Sequence, residues 1–192
     1  MIAPNEIYNG EIDDAAIVAR SLDDPLQFAG IFQRHAPQLH RYAARRLGES
    51  LADDIVADTF HIAFRDRHRY DLNRGDARPW LWRIAANLIL RHHRSETRFY
   101  RALARTGVDP VLEGHADQVA GKVTAEAASP LLAKALARLS KGDRDALLLI
   151  AWGELSYMEV AEVLGIPVGT VRSRLNRARN RVRTSLGGQT DD

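Results

Sequence analysis

The sequence predicts an all-α protein of two small helical domains joined by a flexible linker. Three observations lead there. Apolar residues recur at spacings of three and four from Asp24 to Arg105 and again beyond Pro130, the period of an amphipathic helix. No segment alternates apolar and polar residues with a period of two, as a half-buried strand would. Between the two helical stretches, TGVDPVLEGHADQVAGKVTAEAAS mixes glycines, scattered acids and no sustained period, which reads as a linker able to order on a partner. The resulting boundaries are an acidic N-terminal tail (1–11), a first domain (12–105), the linker (106–129), a second domain (130–186) and a C-terminal tail (187–192).

In the first domain, Asp24 and Pro25 are read as the N-cap and first position of a long helix, where the missing proline N–H costs nothing. Its apolar positions include Phe28, Ile31, Phe32, Leu39, Tyr42, Ala43 and Leu47, and Gly48 closes it. Ser50 opens a second helix carrying Ile55, Val56, Phe60 and Phe64. A polar loop from Tyr70 to Arg78 follows, and Pro79 begins a third long helix running to Arg105. That helix brings Trp80, Trp82, Arg83, Asn87, Arg91, Arg94, Arg98 and Arg101 together. Arginines beside aromatic rings suit single-stranded DNA, whose bases stack on π faces while phosphates meet guanidinium groups. Trp80 and Trp82 are two residues apart and face different ways, so at least one belongs to the core. The acids Asp53, Asp54 and Asp58 have two readings: favourable charges near a helix N-terminus, or a surface beside Val56 and Thr59 that docks a basic partner helix.

The second domain holds the strongest motif, LSYMEVAEVLGIPVGTVRSRL from Leu155 to Leu175. Ser156 and Glu159 form a capping box, Val160, Ala161 and Leu164 a buried stripe, Gly165 a left-handed stop, and Pro167 a restart. Together they make a helix-turn-helix. On the second helix Val168, Val171, Leu175, Ala178 and Val182 face the core, while Arg172, Ser173, Asn176, Arg177 and Asn180 look outward. Arginine grips guanine O6 and N7 and asparagine grips adenine N6 and N7, so these residue types suit a major groove. Arg174, Arg179, Arg181 and Arg183 suit phosphates.

Charge supports this reading. The net charge is only +2, but Val168 to Leu186 holds six arginines and no acid, whereas Met1 to Pro25 holds six acids and one base. The basic stretch reads as a polyanion-binding surface or as a solvated arginine helix. The chain has no cysteine, which excludes disulfides and thiolate metal sites. The acidic N-terminus MIAPNEIYNGEIDD is not a secretory signal, and no run reaches the ~20 apolar residues of a membrane span. The seven histidines show no metal-binding spacing, and phosphate-cradling glycine loops and nucleophile elbows are absent. No enzyme activity, metal or cofactor is expected.

Phe28 to Arg105, through LADDIVADTFHIAFR and RPWLWRIAANLILRHHR, resembles region 2 of the extracytoplasmic-function (ECF) sigma factors in the sigma-70 family. Leu132 to Leu186, through RLSKGDRDALLLIAWGELSYMEVAEVLGIPVGTVRSRLNRAR, resembles region 4. The resemblance implies a cytoplasmic promoter-recognition subunit that binds the β′ clamp and β flap of RNA polymerase and promoter DNA. It also implies control by an anti-sigma protein, without membrane insertion of the chain itself. Asp53, Asp54, Val56, Asp58, Thr59 and Phe60 would dock on polymerase; Ala57 stands where many members have glutamine. Asn87 and Arg83, with Trp80, Arg91 and Arg94, would hold unstacked −10 bases beside the loop from Asn73 to Arg78. Thr170, Arg172, Ser173, Arg174, Asn176 and Arg177 would read the −35 element. The alternative is a stand-alone helix-turn-helix regulator, which would bind DNA without polymerase, usually as a dimer on a palindrome.

Overall fold

A computed structural model describes residues 13–106 and 122–187, with side chains over 13–105 and 130–186. The expected N-terminal tail, the linker from 107 to 121, and residues 188–192 lie outside the described residues. The described residues contain helices and no strand. The helices are α1 (Asp14–Asp23), α2 (Ala29–Leu47), α3 (Glu49–Asp66), α4 (Arg78–Arg91), α5 (His93–Thr106), α6 (Lys122–Arg138), α7 (Lys141–Ala151), α8 (Tyr157–Leu164) and α9 (Val168–Gly187).

Several boundaries differ from the sequence reading for local reasons. Helix α1 was hidden among the N-terminal acids. Asp13 caps it by accepting from the Ala16 N–H at 2.7 Å, and Ile17 and Val18 are fully buried. Asp24 and Pro25 start only a 3₁₀ turn, Pro25–Phe28, before α2 begins. The third long helix breaks at His92 (φ −94°, ψ 14°), whose N–H donates to the Ile89 carbonyl. That break turns the chain so that Glu96 and Tyr100 enter the interior while Arg83, Asn87 and Arg91 stay outside. Helix α6 begins inside the expected linker, where Ala125, Glu126, Ala127 and Ala128 are strong helix formers, and it continues through Pro130. A proline there removes one backbone hydrogen bond without ending the helix.

Helices α2, α3 and α4 form the first core, with Ile31, Leu39, Ile55, Phe60, Leu81 and Ile89 inside. Helices α6 to α9 form the second, around Leu136, Leu149, Val160, Val171 and Leu175. The two halves then pack together through α5 on α6 and α4 on α8. Trp82 is the buried tryptophan: its ring lies 4.7 Å from that of Tyr42, and Gly153 fits beside it, where a Cβ would come within 2.8 Å of the indole. The Trp82 Nε1–H has no partner among the described residues, at a typical cost of ~1–3 kcal/mol.

At the centre of this joint is a buried group of four charges. From the first half, Arg46 binds Glu96 (2.6 Å) and Tyr42 (2.8 Å), and it reaches Asp145 of the second half at 2.5 Å. In return, Arg144 of the second half reaches Glu96 at 3.2 Å and the Leu136 carbonyl at 3.1 Å. His93 Nδ1 lies 2.8 Å from the same guanidinium. Two positive and two negative groups cancel inside a buried site. Burial works against the Arg46 charge, but Tyr42, Glu96 and Asp145 more than restore it. Burial pushes the Tyr42 and Tyr100 phenols up, out of the physiological range.

A second polar joint fastens α1. Asp14 accepts from Arg34 (2.9 Å) and from the Ala77 N–H (2.9 Å), and His35 Nε2 lies 2.7 Å away. Burial alone would raise the Asp14 pKa; hydrogen bonds from His35 and Ala77 outweigh it and lower the group to about 2.

Two stability predictions follow from these joints. Arg46→Ala strands Asp145 and half of Glu96, so chemical unfolding is expected to show a loss of about 3–5 kcal/mol. Arg46→Lys should recover only part of it, because an ammonium cannot span both carboxylates in the guanidinium's planar geometry. A loss under ~1 kcal/mol, the range of an exposed pair, would contradict the buried network. Asp14 has a depressed folded pKa, so its contribution is present above the unfolded value near 3.8 and is lost as pH falls toward about 2. The stability gap between wild type and Asp14→Asn, roughly 2 kcal/mol at neutral pH, is therefore expected to narrow as pH falls from about 4 to about 2 in urea titrations.

Candidate functional site

The helix-turn-helix forms from the signals read in the sequence. Ser156 and Glu159 make a reciprocal capping box, with the Ser156 N–H donating to Glu159 Oε2 at 2.7 Å. Gly165 is left-handed (φ 63°, ψ 38°), and its substitution by an L-residue would be strained. Pro167 stands just ahead of α9, where its carbonyl accepts from the Thr170 and Val171 N–H groups. Val171, Leu175 and Ala178 are buried, with Val168 and Val182 half-buried beside them.

This packing leaves Arg172, Ser173, Asn176 and Arg177 exposed along α9, and Thr170 and Arg174 half-exposed. Ser173 donates back to the Thr170 carbonyl at 2.9 Å, and Asn180 donates to Asn176 at 3.3 Å. The sequence reading missed what lies beneath. The first turn of α7 forms a floor under three of the arginines. The Arg174 guanidinium lies against Gly142, where a Cβ would sit 2.9 Å from its Cζ. Buried Asp143 holds Arg177 at 2.9 Å and faces Arg181 at 3.6 Å. Nothing in the local pattern of LSKGDRDA distinguishes Asp143 from an ordinary first-turn acid, so only the tertiary packing reveals the contact.

The second face lies on α4 and α5. Arg83, Asn87, Arg91, Arg94, Arg98, Arg101 and Arg105 are all exposed, and the single acid of these helices, Glu96, is buried. Trp80 is half-buried, its ring 5.0 Å from Tyr70. The adjoining loop is tightly held. Asp71 accepts from the Asn73 backbone and side chain, Tyr70 donates to the Arg74 carbonyl, and Gly75 accepts from the Asp14 N–H. Burial pushes the Tyr70 phenol up to about 12, with the Asp14 and Asp76 charges adding to the effect.

The third face is on α3. Asp53, Asp54 and Asp58 are exposed as a row. Val56, Thr59 and Phe60 are not: Thr59 is wholly buried and donates to the Ile55 carbonyl at 2.6 Å, and Phe60 packs edge-on against Phe32. The docking surface expected beside Val56 and Thr59 therefore has no exposed Thr59 in it, and Val56 is buried to 8% exposure. What the acids border instead is an open groove between α2 and α3 lined by Phe32, Pro37, His40, Val56 and Ala57. His40 approaches Asp53 at 3.0 Å and Glu49 at 3.6 Å.

Asp14, His35 and Asp76 also converge, the one such cluster among the described residues. Both Asp14 oxygens are already engaged by Arg34, His35 and the Ala77 N–H, so this is an ion-paired joint that places a fixed positive charge beside any cation. No helix of the described residues is long and apolar enough to cross a membrane.

The two halves also meet at the loop. Arg74 pairs with Glu162 of α8. Arg78 donates to the Gly153 carbonyl at 2.6 Å and lies 3.8 Å from Glu159. Gln38 reaches the same Gly153 carbonyl at 3.3 Å.

Comparison with known proteins matches residues 31–99 to the model of sigma-70 region 2 and residues 130–182 to that of sigma-70 region 4. The chain is 31% identical over 166 residues to the ECF RNA polymerase sigma factor SigW of Bacillus subtilis, covering 83% of this chain and 88% of that protein. It is 32% identical over 157 residues to SigL of Mycobacterium tuberculosis, covering 81% and 86%. Among solved structures, CnrH in complex with the cytosolic domain of CnrY superposes with a TM-score of 0.64 at 26% identity, covering 92% of this chain and 99% of that one. RpoE of Bartonella quintana, solved with the anti-sigma factor NepR, gives 0.60 at 25% identity over 86% and 98%. With both regions matched in order along one chain, the alternative of a stand-alone helix-turn-helix regulator is not favoured. The chain belongs to the extracytoplasmic-function (ECF) sigma factors of RNA polymerase, carrying sigma-70 regions 2 and 4.

Proposed function

We propose a division of labour among the three faces. Exposed α9, through Arg172, Ser173, Asn176 and Arg177, reads duplex −35 DNA in the major groove. The face of α4 and α5, through Arg83, Asn87, Arg91 and Arg94 with Trp80 at its edge, traps unstacked −10 bases. The acids of α3 and the α2–α3 groove dock on the β′ clamp, with Thr59 and Phe60 supporting the helix from inside. Capturing flipped bases offsets the few kcal/mol that each unstacking step costs. The protein directs the polymerase in the cytoplasm and catalyses no reaction itself, and an anti-sigma protein holds it inactive; the similar RpoE is solved in complex with the anti-sigma factor NepR.

The observation that carries this reading is the pair of exposed arginine faces, each on helices whose exposed surface has no acid. An ordinary solvated helix intersperses both signs.

The packed arrangement supports a resting form. The names of the two promoter elements put them about 25 base pairs apart, roughly 85 Å along a duplex at ~3.4 Å per step. A compact body of this many residues has a radius of gyration of only ~15 Å. The halves must separate for both faces to reach their elements, which breaks the Arg46–Asp145 and Arg74–Glu162 contacts and frees the loop beside Asn87.

Transcription in vitro with purified core polymerase on genomic fragments is the test. Added protein is expected to produce transcripts that share −35 and −10 motifs at fixed spacing. Arg172→Ala should weaken −35-dependent transcription by about 1–3 kcal/mol while polymerase binding persists. Asn87→Ala should leave −35 binding unchanged and impair melting. If Asn87→Ala is folded and melts promoters normally, the base-capture role of this face is wrong.

A further inference from the structure

We propose that Asp143 is a positioning residue for −35 recognition, holding Arg177 in a set orientation on the DNA-facing side of α9. The inference rests on the reading of α9 as the −35 helix and names a determinant outside it.

The geometry is a floor and a fork. Ser140 caps α7 by accepting from the Asp143 N–H, which fixes the backbone of the first turn. The Asp143 carboxylate is only 4% exposed, while the Arg177 side chain above it is 53% exposed. Arg177 Nη2 donates to Asp143 Oδ1 at 2.9 Å and Nε to Oδ2 at 3.4 Å, a side-on approach to both oxygens. This uses one edge of the guanidinium and leaves Nη1 and the outer Nη2 hydrogen for an acceptor. Arg181 closes the other side at 3.6 Å. Gly142 lies against the Arg174 guanidinium, which would have to shift to admit a Cβ, so one turn of α7 borders three arginines of α9.

An unrestrained arginine loses rotamer freedom when it binds, and a fork already held in place loses less. The carboxylate does this at an electrostatic cost, since it puts a negative charge close to a polyanion. That cost separates the proposal from its rivals. Bulk electrostatics says that removing the acid strengthens DNA binding for every sequence. A merely structural tie between α7 and α9 says that removing it loosens the domain and weakens every sequence alike. Positioning says that removing it weakens the cognate sequence selectively.

The experiment uses reconstituted holoenzyme and measures binding to promoter duplexes carrying every single substitution across the −35 element. The variants are Asp143→Asn, Asp143→Glu, Arg177→Ala and the Asp143→Asn/Arg177→Ala pair, each checked for folding by thermal unfolding. Asp143→Asn is expected to lower cognate affinity about tenfold, the ~1.4 kcal/mol of one decade. It should flatten preference at the same base pair as Arg177→Ala, and the double variant should behave as Arg177→Ala alone. Asp143→Glu, which keeps the carboxylate, should restore part of the preference. Tighter binding to all duplexes, or a uniform loss that adds to that of Arg177→Ala, overturns the proposal. Arg172→Ala runs alongside as the control on the parent reading. If neither Arg172→Ala nor Arg177→Ala alters −35 preference, α9 is not the reading helix and the proposal falls with it. If both do and Asp143→Asn does not, only the positioning role is lost.

Discussion

The arrangement of this protein depends on the buried ion network that joins its halves. Arg46 and Glu96 come from one domain and Arg144 and Asp145 from the other, and all four are at most 5% exposed. Any one of them alone would be untenable in that site, because an unpaired buried charge costs several kcal/mol. Each half therefore carries one positive and one negative group that the other half completes. The pairing fixes the register of α5 against α6 and α7, and it draws Glu96 inward so that the outer face of α5 is left with arginines alone. An apolar joint of the same size would be no less stable. An ionic joint differs in what happens on opening, since all four charged groups regain water.

One residue type thus serves opposite ends. Arg46 and Arg144 are enclosed by carboxylates and phenols, with Arg144 lying over the Tyr100 ring. Arg83, Arg91 and Arg172 face solvent and pair with no acid among the described residues. Arg177 is between the two, half-exposed but held from below by Asp143. In this chain burial and partners, rather than residue identity, separate an arginine that holds the fold from one available to DNA.

The local signals were legible in the sequence wherever a short-range rule governs. The Ser156–Glu159 box, the left-handed Gly165, the stop at Gly48 and the buried stripe of α9 each follow from residues within one or two turns. The faces on α9 and α4 were legible for the same reason. Long-range features were not. Thr59 and Phe60 stand among the docking residues that the family resemblance implies, yet both are buried and Phe60 packs on Phe32 of α2. Helix α1 was masked by its acids, since nothing local marks Asp14 as a buried joint until Arg34, His35 and Ala77 surround it. The break at His92 and the reach of Arg46 to Asp145, 99 residues along the chain, depend on tertiary contacts that no local pattern encodes. Asp143 belongs to this class.

The most direct test of the account is the distance between the halves in the free and promoter-bound states. The chain has no cysteine, so Asp23→Cys and Thr184→Cys, both exposed and outside the residues proposed to read the promoter or dock on polymerase, can carry a pair of spin labels without background. The account predicts one short distance in the free protein and a distance longer by tens of ångströms in the holoenzyme on promoter DNA, on the scale of the ~85 Å between the promoter elements. The same short distance in both states would contradict it, because the packed form would then be the working form and the network at Arg46 would never open.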